Sequence, residues 1–76
     1  MHLAFVMINV ETGKEVQVLN QLNRIEHVKE AYLTLGVYDV AAKIEAKTSD
    51  ELTDVVFNKI RRLKNVKATL TMMVVE

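Results

Sequence analysis

The sequence has no cysteine, no proline and no tryptophan, and only two glycines, Gly13 and Gly36, among its 76 residues. Without cysteine there can be no disulfide framework, no thiolate metal site and no thiol nucleophile. Without proline or a Gly-rich tract there is neither a linker to mark an internal boundary nor a loop to cradle phosphate. Aromatic residues make up 5% of the chain, too few to alternate with basic side chains as stacking platforms for nucleic acid. An excess of one charge is missing too: ten Lys and Arg balance ten Asp and Glu, which removes the electrostatic reason to bind a polyanion. The apolar stretch in MHLAFVMINV is far too short to span a bilayer, and it lacks the basic start and small-residue cleavage site of a secretory leader. A soluble, cytoplasmic chain with no membrane partner is expected.

What remains is a hydrophobic half (50%) and a charged quarter (26%), the balance of one small globular domain spanning residues 1–76. Residues 3–10 form an almost continuous apolar run rich in Val, Ile and Phe, which predicts a strand buried on both faces. Thr12-Gly13-Lys14-Glu15 is a T-x-x-E capping pattern and predicts a helix ending near Glu26, with Val16, Leu19, Leu22 and Ile25 on its apolar face. Residues 28–35 and 40–46 are strand-like and predict a hairpin. Thr48-Ser49-Asp50-Glu51 repeats the capping pattern ahead of Leu52, Val55, Val56, Ile60 and Leu63, a clearer amphipathic helix. Arg61, Arg62 and Lys64 suit its negative end, and Asn65 can take the left-handed conformation that stops it. Residues 69–75 are the predicted last strand.

The order is β-α-β-β-α-β, and the halves echo one another: VKEAYLT at 28–34 resembles VKATLT at 66–71. Right-handed crossovers and hairpin pairing turn it into an α+β, ferredoxin-like fold, a four-stranded antiparallel sheet of order 4-1-3-2 with two helices on one face. Leu3, Phe5 and Met7 point one way from the first strand and Ala4, Val6, Ile8 and Val10 the other, while Leu70, Met72 and Val74 oppose Met73 and Val75 in the last. Both faces of the sheet therefore want burial, although two helices cover only one. The bare face would expose a larger apolar patch than soluble monomers usually tolerate, so an obligate homodimer burying roughly 2,000 Å2 or more is expected.

Candidate reactive residues are few. His2 lies at the terminus and His27 at the exit of the first helix, neither with a second ligand at metal spacing. Ser49 is the sole serine and lacks a G-x-S-x-G setting; Asp50 and Glu51 suit a helix start. Lys59, Arg61, Arg62, Lys64 and Lys67 read as a solvated face, and Met7, Met72 and Met73 as core or interface filler. One constellation stands out around LTLGVYDVAAKI: Gly36, Tyr38 and Asp39 in the hairpin loop, with the threonines Thr34, Thr69 and Thr71. Structurally, Gly36 could supply a positive φ, Asp39 could bond a backbone amide and Tyr38 could pack. Functionally, loop amides could meet a carboxylate while Asp39 meets an ammonium, the two ends of a free amino acid.

The G-x-Y-D loop combined with the T-x-T strand, AFVMINVETGKE at the start and IRRLKNVKATLTMMVVE at the end, resembles the effector-binding and assembly (RAM) domain of the Lrp/AsnC transcription regulators, over essentially the whole chain. The resemblance implies a dimer that assembles further, often to an octamer, with an amino acid or related metabolite bound between dimers and no cofactor. It carries ligand contacts onto Gly36, Tyr38 and Asp39, and more loosely onto Thr69, Thr71, Met72 and Met73. The chain departs from the family in lacking the N-terminal helix-turn-helix, so direct DNA binding is not expected, and in having Asn65 where glycine is common. It looks like a stand-alone module that senses a metabolite or partners a full-length regulator. The alternative is a small enzyme of the dimeric α+β barrel type using Tyr38 or His27 as proton carrier.

Overall fold

The computed structural model describes residues 1–75; Glu76, the last residue of the expected domain and of its C-terminal motif, lies outside them. Strands β1 (His2–Val10), β2 (Val28–Leu33), β3 (Val40–Ala46) and β4 (Val66–Met73) form one antiparallel sheet of order β2-β3-β1-β4. Helix α1 (Glu15–Asn23) connects β1 to β2. Helix α2 (Ser49–Asp54) follows β3 and continues without a break into a π-helical stretch, Val55–Ile60. The expected topology is the observed one.

Alternation in β1 decides which side of the sheet is covered. Ala4, Val6 and Ile8 are wholly buried, while Phe5 is exposed and Leu3 and Met7 are half-buried. The run expected to be buried on both faces is therefore buried on one within the chain. Val40, Ala42, Ile44 and Ala46 of β3 lie on that same side, beneath Val18 and Leu22 of α1 and Leu52, Val55, Val56 and Ile60 of the second helical segment. No polar or charged side chain among the described residues is buried there.

Local departures from expectation have local causes. Thr12 does not cap α1: Lys14 is the N-cap residue and makes no side-chain cap bond. Consequently the buried pair is Val18 and Leu22, and Val16 is 59% exposed. Thr48 does cap α2, accepting from Glu51 N–H at 3.1 Å, while Glu51 Oε1 accepts from Lys47 N–H at 3.1 Å. Asn65 takes the expected left-handed conformation (φ 74). β2 stops at Leu33 instead of reaching 35, and β4 starts at Val66 and stops at Met73 instead of spanning 69–75.

Candidate functional site

The loop at 34–39 between β2 and β3 is held by bonds to its own ends and to β1. Thr34 N–H donates to the Asp39 carbonyl at 2.9 Å and Thr34 Oγ1 donates to the Tyr38 carbonyl at 2.7 Å. Asp39 N–H donates to the Ile8 carbonyl at 2.9 Å, and Val10 N–H donates to Asp39 Oδ2 at 2.8 Å. Gly36 has φ +132 with open space where a Cβ would stand. Backbone conformation, then, and not crowding, calls for glycine there.

Asp39 thus bonds a backbone amide, as the structural reading of the loop supposed. Its second carboxylate oxygen takes no hydrogen bond from the described residues. Asp39 also lines an open hollow of about 390 Å3 with Glu15, Val16, Leu33, Thr34 and Leu35. Leu35 is fully exposed and Val37 is 83% exposed, so the loop sets two large apolar side chains in solvent on either side of Gly36.

Of the other expected site residues, Thr69, Thr71 and Met73 pair with Ile8, Val6 and Ala4 and so lie on the helix side of the sheet. Met72 pairs with Phe5 and lies on the opposite face, apart from the other three. Thr69 shares a row with Ile8 and Val40, placing it two strand spacings, roughly 9.5 Å, from the β3 end of the loop. A single chain therefore brings Thr34, Gly36, Tyr38 and Asp39 together but keeps Thr69 and Thr71 apart from them.

The face without helices divides in two. Phe5, Leu70 and Met72 are its exposed apolar part, and on β2 and β3 the same face carries Glu30, Tyr32 and Lys43. Tyr32 O–H donates to Glu30 Oε1 at 2.6 Å, and Lys43 Nζ lies 3.5 Å from Glu30 Oε2 and 3.7 Å from Glu45 Oε2. The tyrosine hydrogen bond, followed by the lysine charge, holds the Glu30 carboxyl below its ordinary range, and the same carboxylate raises the Tyr32 phenol. The sequence reading passed over this network, although pairing Glu30 with Lys43 and Tyr32 with Ala41 across the β2–β3 ladder would have shown it.

His27 lies at the exit of α1, where an imidazolium would gain from the helix dipole. Its Nε2 instead lies 3.2 Å from Glu51 Oε1, joining the exit of α1 to the start of α2. The Lys47 N–H bond, with the charge of His27 adding to it, holds the Glu51 carboxyl below its ordinary range. No group of three or more His, Cys, Asp or Glu side chains able to hold a metal ion occurs among the described residues. Among the described residues no helix is long and apolar enough to cross a membrane.

Residues 3–76 match the family model of the Lrp/AsnC ligand binding domain. The HTH-type transcriptional regulator FL11 of Pyrococcus abyssi is 38% identical over 74 residues, 97% of this chain and 48% of the relative. The regulatory protein AsnC of Escherichia coli is 30% identical over 73 residues, 95% of this chain and 48% of the relative. This chain thus spans about half the length of the curated relatives it matches. Among solved structures, that of FFRP-DM1 superposes with a TM-score of 0.94 at 35% identity, covering 99% of this chain and 100% of the other. The relatives are named as regulators and the matched family model is a ligand binding domain, which favours a regulatory ligand-binding role over the proton-carrier reading of Tyr38 and His27. The chain belongs to the Lrp/AsnC family, as its ligand binding domain.

Proposed function

We propose that the chain binds a free amino acid or a closely related metabolite at the Gly36–Asp39 corner and that occupancy shifts its assembly with identical chains. The observation that carries this reading is Asp39, anchored through Oδ2 at the rim of a hollow whose other walls include Val16, Leu33 and Leu35. A fixed carboxylate beside aliphatic side chains suits a ligand with an ammonium group and an apolar or long side chain. Thr69, Thr71 and Met73 serve the same ligand from a neighbouring copy, since within one chain they stand too far from the loop; Met72 belongs with the sheet face.

The helix-free face is the proposed homodimer interface, with further assembly, to an octamer or similar, through the ligand corners. Light scattering on a size-exclusion column tests the dimer: a monomer that persists at micromolar concentration would end it. The regulatory output is proposed to pass through assembly or a full-length Lrp/AsnC partner in the cytoplasm, without direct DNA contact by this chain.

Thermal-shift screening against the twenty amino acids tests the ligand. A compound at a hundred times its Kd should add about 2.7 kcal/mol of stability. Asp39→Asn keeps an oxygen for Val10 N–H and removes the charge, so it should keep the fold and lose the shift. An undiminished shift in that variant would remove Asp39 from the site.

A further inference from the structure

The hollow at the ligand corner carries more negative charge than one ammonium group answers. Asp39 is one carboxylate in its lining and Glu15, the first residue of α1, is a second. Val16, Leu33, Thr34 and Leu35 complete the lining, which holds no lysine, arginine or histidine. Lys14, next to Glu15 in sequence, is exposed and not part of it. Neither acid belongs to an ion pair among the described residues, and the side-chain hydrogen bond at the pair is the one from Val10 N–H to Asp39 Oδ2. An acid in the first turn of a helix answers the helix dipole whichever way its side chain points. Glu15 is half-buried in the wall of the hollow, which the dipole does not require.

The rest of the lining is mainly aliphatic. On the loop side, the backbone N–H groups of residues 35–38 donate to no other backbone group among the described residues, so donors for a carboxylate stand beside Asp39. Free amides, an acid, an aliphatic wall and a second acid are the complements of a carboxylate, an ammonium, a methylene chain and a second cation.

We infer that the ligand is a basic amino acid of the lysine or ornithine kind. Its α-ammonium meets Asp39, its methylenes lie on Val16, Leu33 and Leu35, and its terminal cation meets Glu15, the residue that sets the preference. This specificity rests on the corner being the ligand site, as proposed above. A hollow of about 390 Å3 is of the size that holds such a molecule. A neutral side chain would cover the Glu15 carboxylate and leave it without a partner, and an acidic one would set like charges together. Both are penalised, whereas a second cation balances the second acid.

Three amino acids of closely similar length separate charge from shape in isothermal titration of the intact chain: lysine, norleucine and 2-aminoadipate end in an ammonium, a methyl and a carboxylate. Lysine should bind about tenfold or more tightly than norleucine, the effect of one hydrogen bond to a charged group, and 2-aminoadipate should bind least. Glu15→Gln keeps the side chain's size and removes its charge. It should weaken lysine about tenfold while norleucine stays where it was, whereas a merely structural role for Glu15 would weaken both ligands alike. Asp39→Asn should weaken lysine and norleucine together, and circular dichroism checks that both variants keep the fold. Norleucine binding as tightly as lysine, or a lysine preference that survives Glu15→Gln, would overturn the inference and leave the corner standing. If none of the three ligands binds, or Asp39→Asn changes nothing, the corner itself falls and the inference with it.

Discussion

Thr12-Gly13-Lys14-Glu15 and Thr48-Ser49-Asp50-Glu51 share a capping pattern, yet only the second forms a cap. The difference lies in the residue after threonine. Gly13 adopts φ +86 within a tight turn in which Lys14 N–H donates to the Glu11 carbonyl at 2.9 Å. The helix consequently starts two residues later, with Val18 N–H bonding the Lys14 carbonyl. Ser49 allows Thr48 to stay extended (φ −127, ψ 158) and to turn its hydroxyl onto the Glu51 amide. A capping motif is thus an offer of two hydrogen bonds, which an adjacent glycine turn can pre-empt.

The two halves are also anchored differently, with two buried side chains in α1 and four in the second helical segment. Leu22→Ala should cost about 2–5 kcal/mol in urea unfolding, near the top of that range because Val18 is the only other fully buried side chain of α1. Ile60→Ala should fall lower in the same range; a reversed order would show that buried anchors do not set the difference. Asp39→Ala, which leaves Val10 N–H without its acceptor, should cost about 1–3 kcal/mol, with Asp39→Asn well below it in the same measurement. Thr48→Ala should cost about 1 kcal/mol and Thr12→Ala close to nothing, so equal losses would refute the contrast between the caps.

The smallest effect concerns pH. The Glu51 carboxyl lies below its ordinary 4.5 in the folded chain, so it adds stability that is present above that value and is lost as pH falls through the folded one. The melting temperatures of wild type and Glu51→Gln should therefore differ slightly at neutral pH and converge on acidification below 4.5. A gap that stays constant would mean that the carboxylate's charge has no part in holding Lys47 and His27.

Topology was legible because its signals are local and redundant. The apolar run of β1, the apolar spacing from Leu52 to Ile60 and the left-handed Asn65 each depend on side chains a few positions apart. The π-helical turns at Val55–Ile60 were not legible, because their apolar residues fall at spacings an ordinary helix also satisfies. Val18 lost its place to Val16 through the misplaced start of α1. At the site, the G-x-Y-D loop drew attention to Asp39, but its bond to Val10 joins residues 29 apart, a distance no local pattern spans. Met72 and Met73 came together only through the family resemblance, whereas strand alternation sets them on opposite faces.

A core of hydrocarbon alone has no means of checking its own alignment. If β1 slid two residues along β3, valine, alanine and isoleucine would still point inward, and burial would change little. Directional bonds must therefore decide the register, and at this end of the ladder Asp39 supplies two, one to the Ile8 carbonyl and one to the Val10 amide. The side chain proposed to greet a metabolite is also the peg that tells the central strand where to stop.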